Sequence, residues 1–379
     1  MTPRGHDAVQ AAREAEELLA AARAAGIHRL GIPTPFLIGR VNCYLIEDDP
    51  VTLVDTGPNS GKALDDLERA LRELGHRVED LGLIVITHQH MDHVGLLEIL
   101  ARRSGAEVAA LDLLGPYLED FSASAVADDE FSKQMMRRHG VPPELVTALG
   151  AVGAAFRAFG SSGHVTTPLH DGAELRLRDR TLTALHRPGH SPSDTIFWDQ
   201  ERRILIAGDH LLAHISSNPL LSRPLHSPTP RPGIPPSRPG IPPSRHPGIP
   251  PSRPGIPPPP GGPGAERPHA LRDYIASMRL TRQLPVELSL GGHGPPVRDH
   301  VALIDERLRM HARRARKLRR LLSPAPLTAY ELASRMWGNV AVTQAFLTIS
   351  EVLGHLDLLT DDGEVHEYLD GPVTRFAVV

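Results

Sequence analysis

Residues 87–93 of this 379-residue chain read Thr-His-Gln-His-Met-Asp-His, and this stretch limits the possible folds more than any other. A short apolar and β-branched run at 83–86 precedes it, which is typical of a buried parallel strand. Residues 94–100 follow it with the apolar spacing of a helix. The sequence therefore predicts a strand-to-helix turn that carries three imidazoles and one carboxylate.

The side chains of this turn are predicted to hold metal. In an extended turn His88 and His90 project from the same side, while Asp92 and His93 begin the helix beside them. Neutral imidazoles and carboxylates are the usual ligands of a catalytic zinc, whereas structural zinc sites favour cysteine. The alternative is a solvated turn that happens to contain histidine, since the chain has 21 of them. The spacing directly after a buried strand favours the metal site.

Three further candidate ligands follow turns or strands later in the chain. His190 comes after Pro188-Gly189, a pair that makes a sharp turn. Asp209 ends an apolar run, a position where an isolated aspartate more often caps a helix. His293 lies between glycines. These local features make the three residues candidates, and helix capping stays open for Asp209 at this point.

In these motifs and their order, residues 27–300 resemble the metallo-β-lactamase superfamily. The resemblance implies an α/β fold of the αββα type, in which two mixed sheets face each other, helices cover both outer faces, and the metals lie at one edge. It implies that one metal is held by His88, His90 and His190. It implies a second metal held by Asp92, His93 and His293, with Asp209 bridging the two. Asp55 would support the metal loop from behind, although an aspartate that caps a turn explains this residue as well.

By the same resemblance, two zinc ions would share a hydroxide that attacks the substrate, with Asp92 and Asp209 as the catalytic carboxylates. Iron or manganese fits the same ligands. The predicted function is hydrolysis of a small-molecule thioester or other activated ester, as in the glyoxalase II-like branch. A metal-dependent endoribonuclease and a non-catalytic, DNA-binding regulator stay open as alternatives. The sequence names neither the substrate nor the oligomeric state.

Composition bears on partners and location. The chain is 40% hydrophobic with a formal net charge of −4, which disfavours nucleic acid as a general partner but does not exclude a local basic patch. Cys43 is the sole cysteine, so an internal disulfide is excluded and a reducing compartment fits best. The N-terminus lacks a hydrophobic signal core, and no apolar run approaches membrane-spanning length. A cytoplasmic protein without a membrane partner is predicted.

The chain is predicted to contain two domains. Residues 1–322 would form the hydrolase domain and residues 323–379 a small winged-helix-like domain, similar to the tail of the lactamase-β-2-like branch. A proline-rich repeat at about 227–265 interrupts the first domain, and its composition predicts a disordered or polyproline II loop. The last part of the tail predicts short strands at 356–360, 364–369 and 373–378.

Local patterns predict further elements. The first strands are predicted at 35–47 and 51–55. Residues 301–322 predict a helix with an arginine-rich face, which is more often solvated than anion-binding, and Arg307 is assigned to that face. Residues 113–160 predict helices, and the resemblance to the superfamily implies that these helices roof the site. Their apolar side chains line either a substrate pocket or the helices' own core: Phe121, Phe131, Met135, Met136, Phe156 and Phe159.

Overall fold

A computed structural model describes residues 5–225 and 267–379 of the chain. The strands of its first sheet lie in chain order: β1 (Ile27–Ile32), β2 (Val41–Ile46), β3 (Thr52–Val54), β4 (Leu83–Val85), β5 (Glu107–Leu111) and β6 (Thr167–Leu169). Pairing is antiparallel from β1 to β3 and parallel from β3 to β6. Because β3 and β4 run the same way, the turns that follow them meet at one edge of the sheet.

The second sheet brings the later motifs to the same region. Its strands are β7 (Glu174–Arg176), β8 (Thr181–His186), β9 (Thr195–Asp199), β10 (Ile204–Gly208) and β11 (Leu288–Gly291). They are ordered β11-β10-β9-β8-β7, with β10 and β11 parallel and the other pairs antiparallel. Asp209 and His293 follow β10 and β11, so both residues lie at one edge of this sheet.

Alternation along β2 shows why the sheets pack face to face. Cys43 and Leu45 belong to the cluster between the first sheet and its helices, whereas Tyr44 and Ile46 belong to the cluster shared with the second sheet. Successive side chains of a strand point to opposite faces, so a strand that is apolar throughout must be covered on both sides. All six residues of β2 are buried.

Helices cover the outer face of each sheet. The N-terminal helix is α1 (Gly5–Ala24), and the helices associated with the first sheet are α2 (Gly61–Glu73), α3 (Met91–Val94), α4 (Leu97–Ser104), α5 (Leu114–Glu119) and α6 (Phe121–Arg138). Helix α7 (Pro143–Phe156) instead packs in the apolar cluster that contains Met136 and the tail. The outer face of the second sheet packs on α8 (Ala270–Thr281) and α9 (His300–Leu322). The predicted αββα sandwich is confirmed, and helices form within 113–160 as predicted.

The C-terminal tail contains α10 (Ala329–Trp337), α11 (Val340–Thr343), α12 (Ala345–Asp361) and a hairpin of β12 (Val365–Asp370) and β13 (Val373–Val378). Thr328 caps α10: its side chain accepts from the Glu331 N–H, while the Glu331 side chain accepts from the Thr328 N–H. The strand predicted at 356–360 is wrong, because these residues continue α12. The hairpin itself is as predicted, while a winged-helix assignment and the domain boundary stay predictions.

One further sequence prediction is wrong, and another concerns residues that the structure does not describe. The first strand was expected at 35–47, but β2 begins only at Val41, and the preceding strand β1 was missed. The proline-rich repeat expected at about 227–265 lies outside the described residues. Among the described helices, none combines the length and apolar character needed to cross a membrane.

Candidate active site

Three imidazoles from two elements converge after β4. The segment between β4 and α3 presents His88 and His90, with His88 Nε2 3.0 Å from His90 Nδ1. His190, in the turn between β8 and β9, places its Nε2 2.9 Å from the same His90 Nδ1. Three nitrogens this close can share one cation, because ligands of a single zinc lie about 2 Å from it.

A second group of donors lies beside the first. His293 Nε2 is 3.3 Å from Asp92 Oδ2, and His93 Nε2 is 3.9 Å from Asp92 Oδ1. Asp209 lies between the two groups, since its carboxylate is 3.5 Å from the Nε2 atoms of His93, His190 and His293. All seven predicted ligands are therefore brought together, and Asp209 contacts members of both groups.

Backbone constraints allow this crowding. A Cβ on Gly292 would lie 2.2 Å from Asp209 Oδ1 and 2.9 Å from His93 Cε1, so a side chain there would displace the carboxylate. Asp55 has a φ of 59°, in the left-handed region that aspartate tolerates better than most residues. This conformation follows β3 directly and turns the Asp55 carboxylate toward the metal loop.

The far ring nitrogens are held by groups outside the cluster. His93 Nδ1 lies 2.7 Å from Asp55 Oδ2, and Asp55 also accepts from Thr87 N at 2.9 Å and from Thr87 Oγ1 at 2.8 Å. His293 Nδ1 donates to the Arg40 carbonyl at 2.8 Å. Such bonds fix the tautomer and the orientation of an imidazole that ligates metal. The position of Asp55 is the one that the resemblance implied.

His190 is oriented by a contact that leads to the C-terminal tail. Its Nδ1 donates to the Asn218 carbonyl at 3.2 Å, and Asn218 Nδ2 donates to the Leu347 carbonyl of α12 at 3.3 Å. Asn218 is not predicted from the sequence, because no local pattern marks a residue whose partners are 28 and 129 positions away.

The electrostatics divide the cluster into neutral and charged members. Burial lowers the pKa of His88 well below its usual range and lowers that of His90 to about 3, so both rings are neutral. Burial also opposes charge on His93, but Asp55 and Asp209 outweigh it and raise the pKa of His93. The pKa of Asp209 is well below its usual range despite burial, because imidazoles surround the carboxylate.

Unpartnered atoms show that the cluster fits a metal. His93 Nε2, His293 Nε2 and Asp209 Oδ1 are buried and have no hydrogen-bond partner within the described protein. Buried polar atoms normally have partners, so three orphans aimed into one cluster call for a bound group. Imidazole and carboxylate donors suit a divalent transition metal. The residues present therefore fit the metals that the sequence predicts.

A cavity of about 250 Å³ opens beside His90. Its apolar lining comes from α6, α7, the segment after β10 and the tail: Phe121, Phe131, Phe156, Leu220, Leu221 and Phe346. Asp128 also lines it and accepts from Tyr117 OH at 2.9 Å and from Arg223 Nε at 3.0 Å.

Five residues of the predicted apolar set are divided between this cavity and the core, whereas Phe159 lies in neither and its ring contacts those of Phe36 and Phe156. Phe121, Phe131 and Phe156 line the cavity. Met135 and Met136 are buried, and Met136 packs in the cluster shared with the tail. Phe346 was missed, because its place in the cavity depends on how the tail folds back.

The prediction that α9 has a solvated, arginine-rich face is wrong for Arg307. Arg307 is buried, with its side chain donating to the carbonyls of Leu212, Ala213 and Ile215. Arg314 and Arg319 contact Glu351 and Glu364 of the tail. Arg307 therefore does not belong to the solvated face, whereas Arg309, Arg313, Arg316 and Arg320 are exposed, as predicted.

The sequence signature of the Metallo-beta-lactamase superfamily matches residues 38–293, two thirds of the chain and the whole of the cluster. The chain belongs to this superfamily. It is similar to the probable metallo-hydrolase YqjP of Bacillus subtilis (strain 168), with 28% identity over 345 residues, or 91% of this chain and 95% of that protein. With this membership and this relative, the protein is a hydrolase.

Two further similarities concern structure and activity. The crystal structure of the metallo-beta-lactamase family protein TTHA1429 from Thermus thermophilus has a TM-score of 0.71 and 26% identity, covering 93% of this chain and 99% of that chain. The acyl-coenzyme A thioesterase MBLAC2 of Bos taurus is 29% identical over 140 residues, which are 34% of this chain and 40% of that protein.

Proposed function

We propose that this protein hydrolyses a small-molecule thioester or other activated ester with two divalent metal ions, zinc being the ion that its donors favour. The observation that carries the proposal is the convergence of the predicted ligands beside an apolar cavity. One ion would be held by His88, His90 and His190. The other would be held by Asp92, His93 and His293, with Asp209 contacting both.

The protein groups prepare the site for this chemistry. When bound, the ions would supply an activated water at neutral pH and positive charge beside the attacked carbonyl. His88 and His90 are neutral and need lose no proton to ligate. Asp92, whose carboxylate lies 3.3 Å from His293 Nε2, would accept a hydrogen bond from the attacking water and orient it.

The cavity supports an acyl substrate. Its phenylalanine and leucine side chains offer an apolar surface next to His90, where an acyl chain would leave water. Burial of apolar surface contributes about 25 cal/mol per Å², so even a short chain gains several kcal/mol. The partial similarity to an acyl-coenzyme A thioesterase points the same way. Against the endoribonuclease and DNA-binding alternatives, Arg307, Arg314 and Arg319 of α9 are engaged by backbone carbonyls or by acids of the tail. Arg313, Arg316 and Arg320 are exposed.

A substrate panel tests the proposal. Purified, zinc-loaded protein would be assayed against acyl-thioesters, esters, lactones and single-stranded RNA. We expect turnover of an acyl-thioester or ester, and its loss in Asp209→Ala. The matched control is Asp305→Ala, which removes a carboxylate paired with Arg282 at 2.7 Å on the surface and should leave turnover unchanged. Cleavage of RNA without turnover of any ester would overturn the proposal.

A further inference from the structure

A second group of metal-type donors lies at the junction of α9 and α12. His311 comes from α9, and Glu351 and His355 come from α12, where a spacing of four residues places them on one face. One ring nitrogen or carboxylate oxygen from each lies within 4.8 Å of the others. All three residues are buried, with His355 fully inaccessible.

The hydrogen bonds of His311 and His355 leave the Nε2 atom of His355 free to bind a cation. His355 Nδ1 lies 2.6 Å from the Glu351 carbonyl and must donate to it, so a neutral His355 presents an unprotonated Nε2. That Nε2 faces His311 Nδ1 at 3.2 Å. Two nitrogens bound tetrahedrally at about 2.1 Å from a zinc are about 3.4 Å apart. The imidazoles of the candidate active site show a similar spacing, 3.0 Å between His88 and His90.

The alternative is a hydrogen-bonded pair of imidazoles with no ion. The orphan atom does not separate the two cases, because His311 Nε2 is buried with no partner among the described residues whether or not an ion lies at Nδ1. Burial, with a contribution from the neighbouring His355, lowers the pKa of His311 to about 3, and burial also lowers the pKa of His355.

Glu351 brings a negative charge to the two rings, with its carboxylate 3.7 Å from His355 Nδ1. It also borders a cavity of about 430 Å³ together with Arg314 and Thr348, whereas the two imidazoles lie behind it and are buried. Arg314 also contacts Glu351. Its positive charge weakens cation binding, so this site should release its metal before the seven-ligand cluster does.

We propose that His311, Glu351 and His355 bind a divalent transition metal, with zinc as the ion, and that this ion clamps the C-terminal tail to the hydrolase domain. The ligands straddle the predicted boundary at residues 322 and 323, one on the hydrolase side and two on the tail side. The site is separate from the catalytic cluster, so the proposal stands whether or not thioesters are the substrate.

Diffraction from wild-type, full-length crystals grown with zinc provides a test that needs no variant. Data collected on both sides of the zinc absorption edge would locate each ion. We expect an anomalous peak between the rings of His311 and His355, in addition to those at the seven-ligand cluster. Peaks at the cluster with none at this position would overturn the proposal and leave a hydrogen-bonded pair of imidazoles.

A solution measurement uses the variant His355→Gln, in which the amide can keep a polar contact in place of the ring. We expect elemental analysis to find one zinc equivalent fewer per chain than in wild type. The matched control is His366→Gln on the exposed face of β12, with unchanged zinc content. Thermal unfolding of wild type should move to lower temperature at chelator concentrations that spare catalysis. Equal zinc content in wild type and His355→Gln, with the variant folded, would contradict the proposal.

Discussion

At the scale of single residues, Asp209 and Asp55 are both carboxylates of the cluster but serve it differently. Asp209 lies 3.5 Å from three imidazole nitrogens, whereas Asp55 reaches the cluster only through His93 and Thr87. We expect Asp209→Ala to lose metal and nearly all turnover. Asp55→Ala should keep its metal with an affinity reduced about 10–100-fold, as for other groups that orient a ligand. Elemental analysis and zinc titration measure this, and equal metal loss in both variants would show that Asp55 is itself a ligand.

Asp48 is a residue whose role is stability. It is buried with Arg180 at 3.1 Å and accepts from the backbone N–H groups of Asp49 and Asp179, thus joining the turn after β2 to the turn before β8. We expect Asp48→Asn to cost about 3 kcal/mol, because it leaves a buried guanidinium with a weakened partner. The adjacent Asp49→Asn, on the surface, should cost less than about 1 kcal/mol. Urea unfolding at pH 7 compares the two.

The free energy of unfolding lost in Asp48→Asn depends on pH in a way that follows from the pKa of Asp48. Burial opposes the charged form, but the hydrogen bonds from Asp49, Asp179 and Arg180 outweigh it and lower the pKa. A carboxylate with a depressed folded pKa contributes stability that is fully present above its unfolded pKa of about 3.9. The contribution is lost as pH falls through the folded value. The difference in free energy of unfolding between wild type and Asp48→Asn should therefore be constant from pH 7 to 5 and shrink below pH 4. A difference that widens in acid would show that the Asp48 carboxylate does not stabilise the folded protein.

Residue-level prediction from the sequence worked where the chemistry is local. The histidine turn and the glycine-flanked positions of Asp209 and His293 are marked by their neighbours, and the structure brings these residues together. Arg307 was misplaced because helical spacing shows a face but not what covers it. Its partners, the carbonyls of residues 212, 213 and 215, belong to a distant segment.

At the scale of elements, α12 shows why the strand at 356–360 was predicted wrongly. Helix α12 is buried around most of its circumference, including Leu353, Leu356 and Leu359. A helix covered on all sides has no polar face, so its sequence does not show the 3.6-residue spacing of apolar positions. An apolar run within such a helix then resembles a buried strand. The strand β1 was missed for the opposite reason: its alternation is weak, and pairing with β2 supplies the stability that its own pattern does not indicate.

Phe346, at the start of α12, gives an element-scale prediction about substrate length. It lines the cavity beside His90 together with side chains of α6 and α7. Phe346→Ala would lengthen this cavity, so we expect kcat/KM to shift by several-fold toward longer acyl chains, with zinc content unchanged. Leu347→Ala is the matched control, because its side chain lies outside this cavity and is more than a third exposed. An identical chain-length profile in wild type and Phe346→Ala would place the acyl group elsewhere.

At the scale of the whole molecule, the tail is packed as part of the hydrolase. Leu318 and Leu322 of α9 and Met136 of α6 share one apolar cluster with Ile349 and Leu353 of α12. The acidic residues of the tail also face arginines of the body. The pairs are Glu351 with Arg314, Asp357 with Arg267, Asp361 with Arg272 and Glu364 with Arg319. Acids used in this way attach the tail to the body, and few remain to form a repelling surface.

Removal of residues 323–379 therefore tests whether the tail completes the hydrolase or serves to bind nucleic acid. Truncation exposes the apolar face of α9 and deletes Phe346 and the Leu347 carbonyl that holds Asn218, the residue whose own carbonyl orients His190. Each large apolar side chain that loses its burial costs about 1.5–3 kcal/mol. We expect a marked fall in melting temperature, lower turnover of small esters and weaker zinc binding.

The salt dependence of RNA binding by the full chain tests the nucleic-acid role. If the tail and the arginines of α9 bound RNA, affinity in the full chain would fall steeply with salt, in proportion to the phosphates neutralised. Because Arg307 is buried and Arg314 and Arg319 contact acids of the tail, we expect negligible RNA affinity at physiological salt. Filter binding from 50 to about 200 mM salt measures the slope. Salt-sensitive binding by the full chain, abolished by Arg313→Glu and Arg316→Glu together while ester turnover persists, would give α9 a role in nucleic-acid binding.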